Sequence, residues 1–293
     1  MSQGFNAIVR FSIDFTPLSN IVIPPFSSKV SRTLFIRMFG KKAEELSSGG
    51  STFKPLILTP VYWVEGGYFL FKADDSKGLS KPLTLREGSR YRFYATLIGR
   101  SSEVVPLIQD LNLSSKFELF SGEISVENIG VEVKSFESFT LKDSDGLIRM
   151  QFKTPVLISF PKSWVRLDRK TPVRHSLFPI PSFMIHGLAE HWNTYSPENL
   201  KIPNVAKLRA YSNYSLVEQD FDIKPVTAIY DEKRRPRGFV GWILYKHRRL
   251  SRNLDSNLLK LLDYANYIGV GRSRSIGFGT VEVEPYPATT VKQ

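Results

Sequence analysis

Cysteine is absent from this 293-residue chain, and histidine and methionine occur only four times each. The absence of cysteine excludes disulfides, thiolate nucleophiles and cysteine-based zinc sites. His186 and His191 stand five residues apart, which is not the spacing of an HExxH zinc pair. We therefore expect a protein that uses no bound metal and no cofactor.

Long apolar runs are also missing, and none is long enough to span a bilayer. The first predicted strand contains Arg10 and Asp14, which is incompatible with a signal peptide. The sequence has no strongly amphipathic basic helix of the kind that lies on a membrane surface. These absences predict a cytoplasmic protein that has no membrane partner.

Positive charge is what the chain has in excess. Its 40 lysine and arginine residues outnumber its 28 aspartate and glutamate residues, which gives a net charge of +12. Such an excess favours a polyanionic partner, above all a nucleic acid. Charge that only keeps the protein in solution is the alternative. The hydrophobic fraction of 42% and the length are typical of a globular protein with two domains.

The hydrophobic pattern of the first half predicts alternating strands and helices. The predicted elements are a strand over 5–15, a helix over 28–46, a hairpin over 54–73, a strand over 90–99, a helix over 103–111 and one or two strands over 116–136. This is the βαββαβ order of a ferredoxin-like domain.

The second half predicts the same order of elements. They are a strand over 147–160, a proline-rich loop over 161–181, helices over 183–195 and 204–218, strands over 222–230 and 237–247, a helix over 254–268 and a final strand. The turn sequence KDSDG at 142–146 indicates the boundary. We therefore predict an α+β protein with two tandem ferredoxin-like (RRM-like) domains, 1–145 and 146–293.

The segment GVGRSRSIGFG, residues 269–279, contains four glycines and two arginines. Exposed N–H groups of a glycine-rich loop form a concave anion site, and the arginines add charge to it. The loop matches neither a P-loop nor a dinucleotide-binding fingerprint, since Arg274 occupies the third glycine position. The pattern predicts a phosphate-binding loop, and a glycine-rich turn without a ligand is the alternative.

The spacing of Gly269, Gly271, Gly277, Phe278 and Gly279 resembles the C-terminal glycine-rich motif of the RAMP superfamily. It is most similar to the motif of the Cas6 family, the endoribonucleases that cut CRISPR repeat RNA into guide RNAs. The resemblance implies two tandem ferredoxin-like domains and a metal-independent cleavage. The 2′-OH would attack the scissile phosphate, leaving a 2′,3′-cyclic phosphate and a 5′-OH.

The family often has a catalytic histidine near the first helix or the loop after it, whereas the first histidine here is His175. Lys29 and Arg32 share one face in the first turns of the predicted helix, and Lys54 opens the next strand. Cationic side chains stabilise the charge of a pentavalent phosphate without transferring a proton. We expect Lys29, Arg32 and Lys54 to be catalytic, and a solvated basic helix edge is the alternative.

Basic residues are also concentrated at both ends of the predicted strand 237–247. Lys233, Arg234, Arg235 and Arg237 lie at a hairpin tip, and Lys246, Arg248, Arg249 and Arg252 at the far end. Such clusters bind RNA phosphates. The expected RNA contacts are Arg235, Arg237, Gly269, Gly271, Arg272, Arg274, Gly277 and Gly279.

The strand sequence RGFVGW faintly resembles the aromatic RNA-binding strand of RRM domains. Phe239 and Trp242 fall on opposite faces of a strand, so we expect one of the two rings in the core.

CRISPR repeat RNA is the expected partner, and association with subunits of a CRISPR effector complex and a homodimer remain open. A non-catalytic RAMP subunit that only binds guide RNA is the main alternative, and an RNA-binding protein of unrelated role is a more distant one. The missing histidine favours these alternatives, whereas the basic first helix favours the enzyme.

Overall fold

A computed structural model describes residues 6–48, 54–74, 82–109, 111–112, 114–142, 146–160 and 174–287. The chain divides into two compact units. Unit 1 contains Met1–Phe136, Ala228–Pro236 and Arg274–Gly277, and unit 2 contains Glu137–Thr227, Arg237–Ser273 and Phe278–Gln293. The predicted boundary lies between residues 145 and 146, whereas the boundary between the two units lies between residues 136 and 137. Unit 1 also contains two short segments from the second half of the chain. The predicted boundary turn at 143–145 lies outside the described residues.

Unit 1 is built on a seven-stranded antiparallel sheet. Its strands and helices are β1 (Asn6–Pro17), β2 (Ile21–Ile23), α1 (Ser28–Ser48), β3 (Leu56–Leu58), β4 (Tyr62–Trp63), β5 (Tyr68–Phe69), β6 (Leu83–Leu85), β7 (Tyr91–Arg100), α2 (Ser101–Gln109), β8 (Lys116–Leu119) and β9 (Gly122–Ser135). The sheet order is β5-β4-β7-β1-β9-β8, with β3 also on β7, and β2 pairs with β6 separately. The central order β9-β1-β7-β3 is the 4-1-3-2 arrangement of a ferredoxin-like fold.

Alternation along β1 determines which face of the sheet is buried. Residues 9, 11, 13 and 15 are buried, whereas 10, 12, 14 and 16 between them are only half-buried. The buried face packs on α1, where Phe35 and Phe39 contact Phe11 with ring centroids 6.2 and 4.8 Å apart. The helix is interrupted at Gly40, whose φ of +69° is not helical, so α1 consists of two helical segments.

Unit 2 has the same plan. Its elements are β10 (Leu147–Val156), β11 (Ile158–Ser159), β12 (His175–Ser176), α3 (Pro181–Tyr195), α4 (Val205–Ser215), β13 (Leu216–Thr227), β14 (Arg237–His247), α5 (Arg252–Ile268) and β15 (Val281–Pro285). The main sheet has the order β13-β14-β10-β15, and its pairs are all antiparallel. This is again the 4-1-3-2 order, so the prediction of two tandem ferredoxin-like domains is confirmed.

Two details of unit 2 differ from the predicted elements. The predicted helix 204–218 ends at Ser215, and β13 begins at Leu216 rather than at residue 222. Most of β13 is exposed, so its sequence lacks the alternation that identifies a half-buried strand. The predicted proline-rich loop over 161–181 lies outside the described residues for 161–173.

The β14 aromatic residues lie as expected for opposite faces. Phe239 is fully buried against Phe152, with ring centroids 5.1 Å apart. Trp242 is half-buried, and the guanidinium carbon of Arg149 lies 5.2 Å from its ring centroid. One ring therefore belongs to the core, as predicted.

Across the described part of the chain, no helix is both long and apolar enough to cross a membrane. Among the same residues, no group of three or more histidine or carboxylate side chains is arranged to hold a metal ion.

Candidate active site

The start of α1 is held in place by two serine side chains. The Ser27 hydroxyl donates to the carbonyl of Leu70 and accepts from the N–H of Val61, at 2.9 Å for the latter. The Ser28 hydroxyl donates to the Ile276 carbonyl at 2.6 Å. Both serines are buried, so the first turn of α1 has a fixed position within unit 1.

The β13–β14 hairpin tip, residues 228–236, is the second part of the site and also belongs to unit 1. The N–H of Ile229 donates to the Lys72 carbonyl at 2.9 Å, which ties the tip to the strand region after β5. Asp231 accepts hydrogen bonds from the N–H groups of Lys233 and Arg234 and from the Arg234 side chain. These bonds close a tight turn that presents its basic residues outward.

Tyr230 is where the two parts of the site meet. The Lys29 Nζ lies 4.9 Å from the centre of its ring, and the guanidinium carbon of Arg234 lies 4.4 Å from it. The ring also packs on Phe26, with centroids 5.6 Å apart. Cations at these distances from an aromatic face are attracted by its quadrupole. Tyr230 therefore brings a lysine of α1 and an arginine of the tip to one aromatic ring.

The electrostatics of this cluster are cationic. Burial raises the pKa of Tyr230, and the charges of Arg234 and Arg32 oppose that increase. The phenol therefore stays protonated at neutral pH and can donate a hydrogen bond. Arg234 keeps the pKa of the Asp231 carboxyl below its usual value, mainly through their direct hydrogen bond.

An open pocket of about 550 Å³ lies at this cluster. It is lined by Pro25, Lys29, Asp231, Glu232, Lys233 and Arg234. Lys29 is half-buried at its wall, and Arg32 is exposed one turn further along α1. Its lining contains three cationic side chains and two carboxylates, so positive charge is in slight excess at the pocket wall.

The sequence predicted part of this arrangement. Lys29 and Arg32 do lie close together at the start of α1. The Lys29 ammonium lies over the Tyr230 ring, and the charge of Arg32 opposes the increase in the pKa of Tyr230. Lys54 is half-buried just before β3, which packs against α1. The catalytic assignment of these three residues stays a prediction.

Two members of the cluster were missed as site residues. The sequence identifies Arg234 only as part of a basic hairpin tip, and no motif identifies Tyr230. The pairing of a basic tip with a basic helix start was the available signal, but nothing local indicates that residues 200 positions apart meet.

Many N–H groups of the glycine-rich loop are bonded to the protein itself. Six of its N–H groups donate to carbonyls of the protein backbone, namely those of Gly269, Val270, Arg272, Gly277, Phe278 and Gly279. These six donors are already used and are not free to bind an anion. RNA contact by the loop glycines stays a prediction.

The loop glycines instead permit close backbone packing. A Cβ on Gly279 would lie 1.9 Å from the Val270 carbonyl oxygen, and one on Gly271 would lie 2.7 Å from that of Leu157. Gly269 and Gly277 are similarly crowded, and all four have positive φ. Glycine is required at these positions because any side chain would collide with neighbouring atoms.

The predicted RNA-contacting arginines differ in exposure. Arg235, Arg237 and Arg272 are exposed, whereas Arg274 is only 9% exposed. Arg235 forms an ion pair with Asp74 at 3.2 Å, and Arg272 hydrogen-bonds the Ser159 hydroxyl at 3.4 Å. Three of the four guanidinium groups can reach a ligand, and RNA contact by any of them stays a prediction.

Two ferredoxin-like units in tandem and a glycine-rich C-terminal loop are the architecture that the sequence resemblance to the RAMP superfamily implies. Family models give the particular family. The Cas6 N-terminal domain matches residues 9–134, and CRISPR-associated endoribonuclease Cas6 matches residues 150–281. The chain belongs to the Cas6 family of endoribonucleases, which process CRISPR repeat RNA.

Similarity to individual family members extends over nearly the whole chain. CRISPR-associated endoribonuclease Cas6 2 of Saccharolobus solfataricus is 27% identical over 299 residues, which cover 94% of this chain and 96% of the relative. The solved structure of Thermus thermophilus Cas6 has a TM-score of 0.66 at 15% identity and covers 95% of this chain and 98% of that one. A Cas6 product complex has the same TM-score at 16% identity and covers 94% of this chain and 98% of that one.

Proposed function

We propose that this chain cleaves CRISPR repeat RNA without a metal ion, by attack of the 2′-OH beside the scissile phosphate. The products would be a 2′,3′-cyclic phosphate and a 5′-OH. The observation that supports this proposal is the gathering of Lys29, Arg32 and Arg234 around the ring of Tyr230.

The main role of the cluster would be to stabilise the negative charge of the transition state. In-line attack moves negative charge to the non-bridging phosphate oxygens, and fixed cations next to them lower the barrier. Lys29 is suited to this role because Tyr230 supports its side chain, so that little reorganisation is needed. Lys54, at the start of the strand packed on α1, would add a further cation.

Proton transfer would rely on weak acids. The leaving 5′ oxygen needs a proton, and a protonated lysine, with a free-solution pKa of about 10.4, can donate one, while the proton of the attacking 2′-OH passes to solvent water. The protonated Tyr230 hydroxyl is a further donor to the phosphate. No histidine belongs to unit 1, so a group that titrates near neutrality is missing there, and we expect slow turnover.

RNA contacts outside the cleaved bond would involve Arg235, Arg237 and Arg272, whose side chains are exposed. Arg274 and the loop glycines would contribute indirectly, by maintaining the conformation of the glycine-rich loop. CRISPR repeat RNA is the partner in this proposal, and association with effector-complex subunits or a second copy of the chain stays a prediction.

The proposal is tested with repeat RNA in excess EDTA. We expect one cut site, a cyclic phosphate on the 5′ product and complete loss of the cut when the nucleotide before it carries a 2′-deoxy group. Cleavage that requires added Mg²⁺ or tolerates the 2′-deoxy substitution contradicts the mechanism. Tight binding without any cut contradicts catalysis and favours a binding subunit.

A further inference from the structure

A second basic cluster lies at the far end of β14 and is not used by the proposed active site. Ten residue steps separate Arg237 from His247, which corresponds to roughly 33 Å along the strand. Lys246, Arg248, Arg249 and Arg252 follow or flank that end, and all four are exposed. At such a distance the two ends of β14 would contact different parts of a bound strand.

The loop that carries this cluster is fastened to the end of α4. The Arg248 N–H donates to the Ser215 carbonyl at 2.7 Å, and the Ser215 hydroxyl donates to the Arg248 carbonyl at 2.9 Å. Ser215 is fully buried, so this pair of bonds is shielded from water. The backbone of Arg248 is therefore held in a fixed position, and its side chain is exposed to solvent.

A buried polar network fixes the rest of the loop. The Tyr211 hydroxyl accepts from the N–H groups of Leu250 and Ser251 at 3.1 and 3.0 Å and donates to Asp255. The Nε2 atom of His247 lies 3.0 Å from the same carboxylate. The loop is thus preorganised, which reduces the entropy lost when a ligand binds to it.

An exposed tyrosine completes the surface. Tyr214 is 71% exposed on the last turn of α4 and directly precedes Ser215, the residue bonded to Arg248. Leu250 is 59% exposed in the same loop. Exposed aromatic rings together with cationic side chains are the combination on which single-stranded nucleic acids bind, with a base stacked on a ring and phosphates near the cations.

The charges around the surface also fit a nucleic acid. Within the described residues, Arg248 and Lys246 form no ion pair with a carboxylate. The exposed carboxylates nearby are on β13, at Glu218, Asp220 and Asp222. These acidic residues would repel phosphates, so a bound strand is expected to follow the end of α4 and the loop rather than β13.

We propose that Tyr214, Arg248 and Arg249 form a second binding surface for single-stranded RNA, which holds a part of the substrate away from the cleaved bond. This inference rests on the proposed function, since it supposes that the substrate is RNA. The surface would bind by stacking and charge, with little preference for sequence.

The test measures binding rather than cleavage, so it does not depend on catalysis. Fluorescence anisotropy would compare the wild type with Tyr214→Ala, Tyr214→Phe and Arg248→Ala, using 2′-deoxy-blocked repeat RNA and a ten-nucleotide oligouridylate. We expect Tyr214→Ala to weaken binding of both RNAs at least about fivefold, and Tyr214→Phe to restore most of it because phenylalanine also stacks. Arg248→Ala should reduce the salt dependence by about one phosphate contact.

The matched control is Tyr68→Ala, which removes another exposed tyrosine, in unit 1. It should leave both affinities unchanged. The proposal is overturned if Tyr214→Ala binds like the wild type or if Tyr214→Phe fails to restore binding. It is also overturned if the variants alter only the oligomeric state, because the surface would then bind protein. A wild-type protein that binds both RNAs through Tyr214 but does not cut the unblocked repeat RNA would instead place the fault in the proposed function.

Discussion

The first helices of the two units have the same place in the ferredoxin-like order but opposite chemistry. The first turns of α1 contain Lys29 and Arg32 beside a pocket. The first turn of α3 contains no charge; it begins with Pro181, and the N–H of Ser182 donates to the Asn213 side chain at 2.9 Å. One helix start has cationic side chains beside a pocket, whereas the other is uncharged and hydrogen-bonded to α4.

This difference shows that the fold supplies a scaffold and the side chains supply the function. A helix start has a partial positive charge in both units. Only α1 adds cations to that charge. Placing cations there is locally unfavourable, so the arrangement makes physical sense when an anion binds between them.

The largest decrease in the cleavage rate is expected for Lys29→Ala. Removing one group that stabilises transition-state charge commonly costs about 10²-fold in rate, and we expect a loss of that order in single-turnover cleavage. Arg32→Ala and Lys54→Ala should also slow cleavage, while RNA binding changes less than the rate in each case. Quenched assays with saturating protein separate the rate from the affinity.

Lys41→Ala is the control, since Lys41 is exposed on the same helix beyond the Gly40 interruption. It should cleave at the wild-type rate. If Lys29→Ala also does so, the start of α1 is not the active site, and the contrast with α3 has no functional meaning.

A smaller decrease in the cleavage rate is expected when the packing around Ser28, at the start of α1, is disturbed. Gly277 has a φ of +91°, and a Cβ there would lie 2.8 Å from the Cβ of Ser28. Gly277→Ala should displace Ser28 and with it Lys29, and a shift of this kind lowers the cleavage rate roughly tenfold or more. The measurement is single-turnover cleavage together with the melting temperature.

Gly40→Ala is the control that separates the effect of backbone strain from the effect of a steric collision. Gly40 also has a positive φ, at +69°, but no atom lies within 4 Å of its added Cβ. Each substitution loses about 1–2 kcal/mol of stability from backbone strain, and only Gly277→Ala should lose activity as well. Equal cleavage rates for the two variants would argue against the support proposed for Lys29.

A still smaller effect is expected at the start of α3. Asn213→Ala removes the acceptor for the Ser182 N–H, and loss of such a hydrogen bond costs about 1 kcal/mol of stability. Cleavage should stay unchanged, because α3 has only a structural role in this comparison. Chemical denaturation measures the first effect, and Asn213→Asp, which keeps the acceptor, should restore stability. A cleavage defect in a fully folded Asn213→Ala protein would contradict the assignment.

Much of the fold could be predicted because its signals are local. The strand predicted over 237–247 matches β14 as observed, and the apolar face of α1 is buried as its spacing indicated. The start of β13 could not be predicted, since an edge strand exposed on both faces shows no alternation. The Gly40 interruption was missed because a single glycine within a strong helical pattern is often tolerated.

The candidate site was only half predictable. The spacing of Lys29 and Arg32 is local and identified one helix face. Tyr230 meets Lys29 through contacts between residues 200 positions apart, which no pattern in one sequence records. The glycine-rich loop was correctly singled out, but its spacing could not show that its N–H groups bond to the protein.

The smallest expected effect concerns pH and again separates the two units. All four histidines belong to unit 2, and burial lowers the pKa of both His175 and His186, with Arg272 adding to the effect at His175. The unfolded chain, with histidine pKa values near about 6.5, then binds more protons than the folded one, so the stability of unit 2 falls as pH decreases through that value. Hydrogen exchange of peptides from each unit, measured between about pH 7.5 and 5, should show this decrease in unit 2 and not in unit 1. His186→Gln should flatten the decrease, and an unchanged pH dependence in that variant would show that other groups cause it.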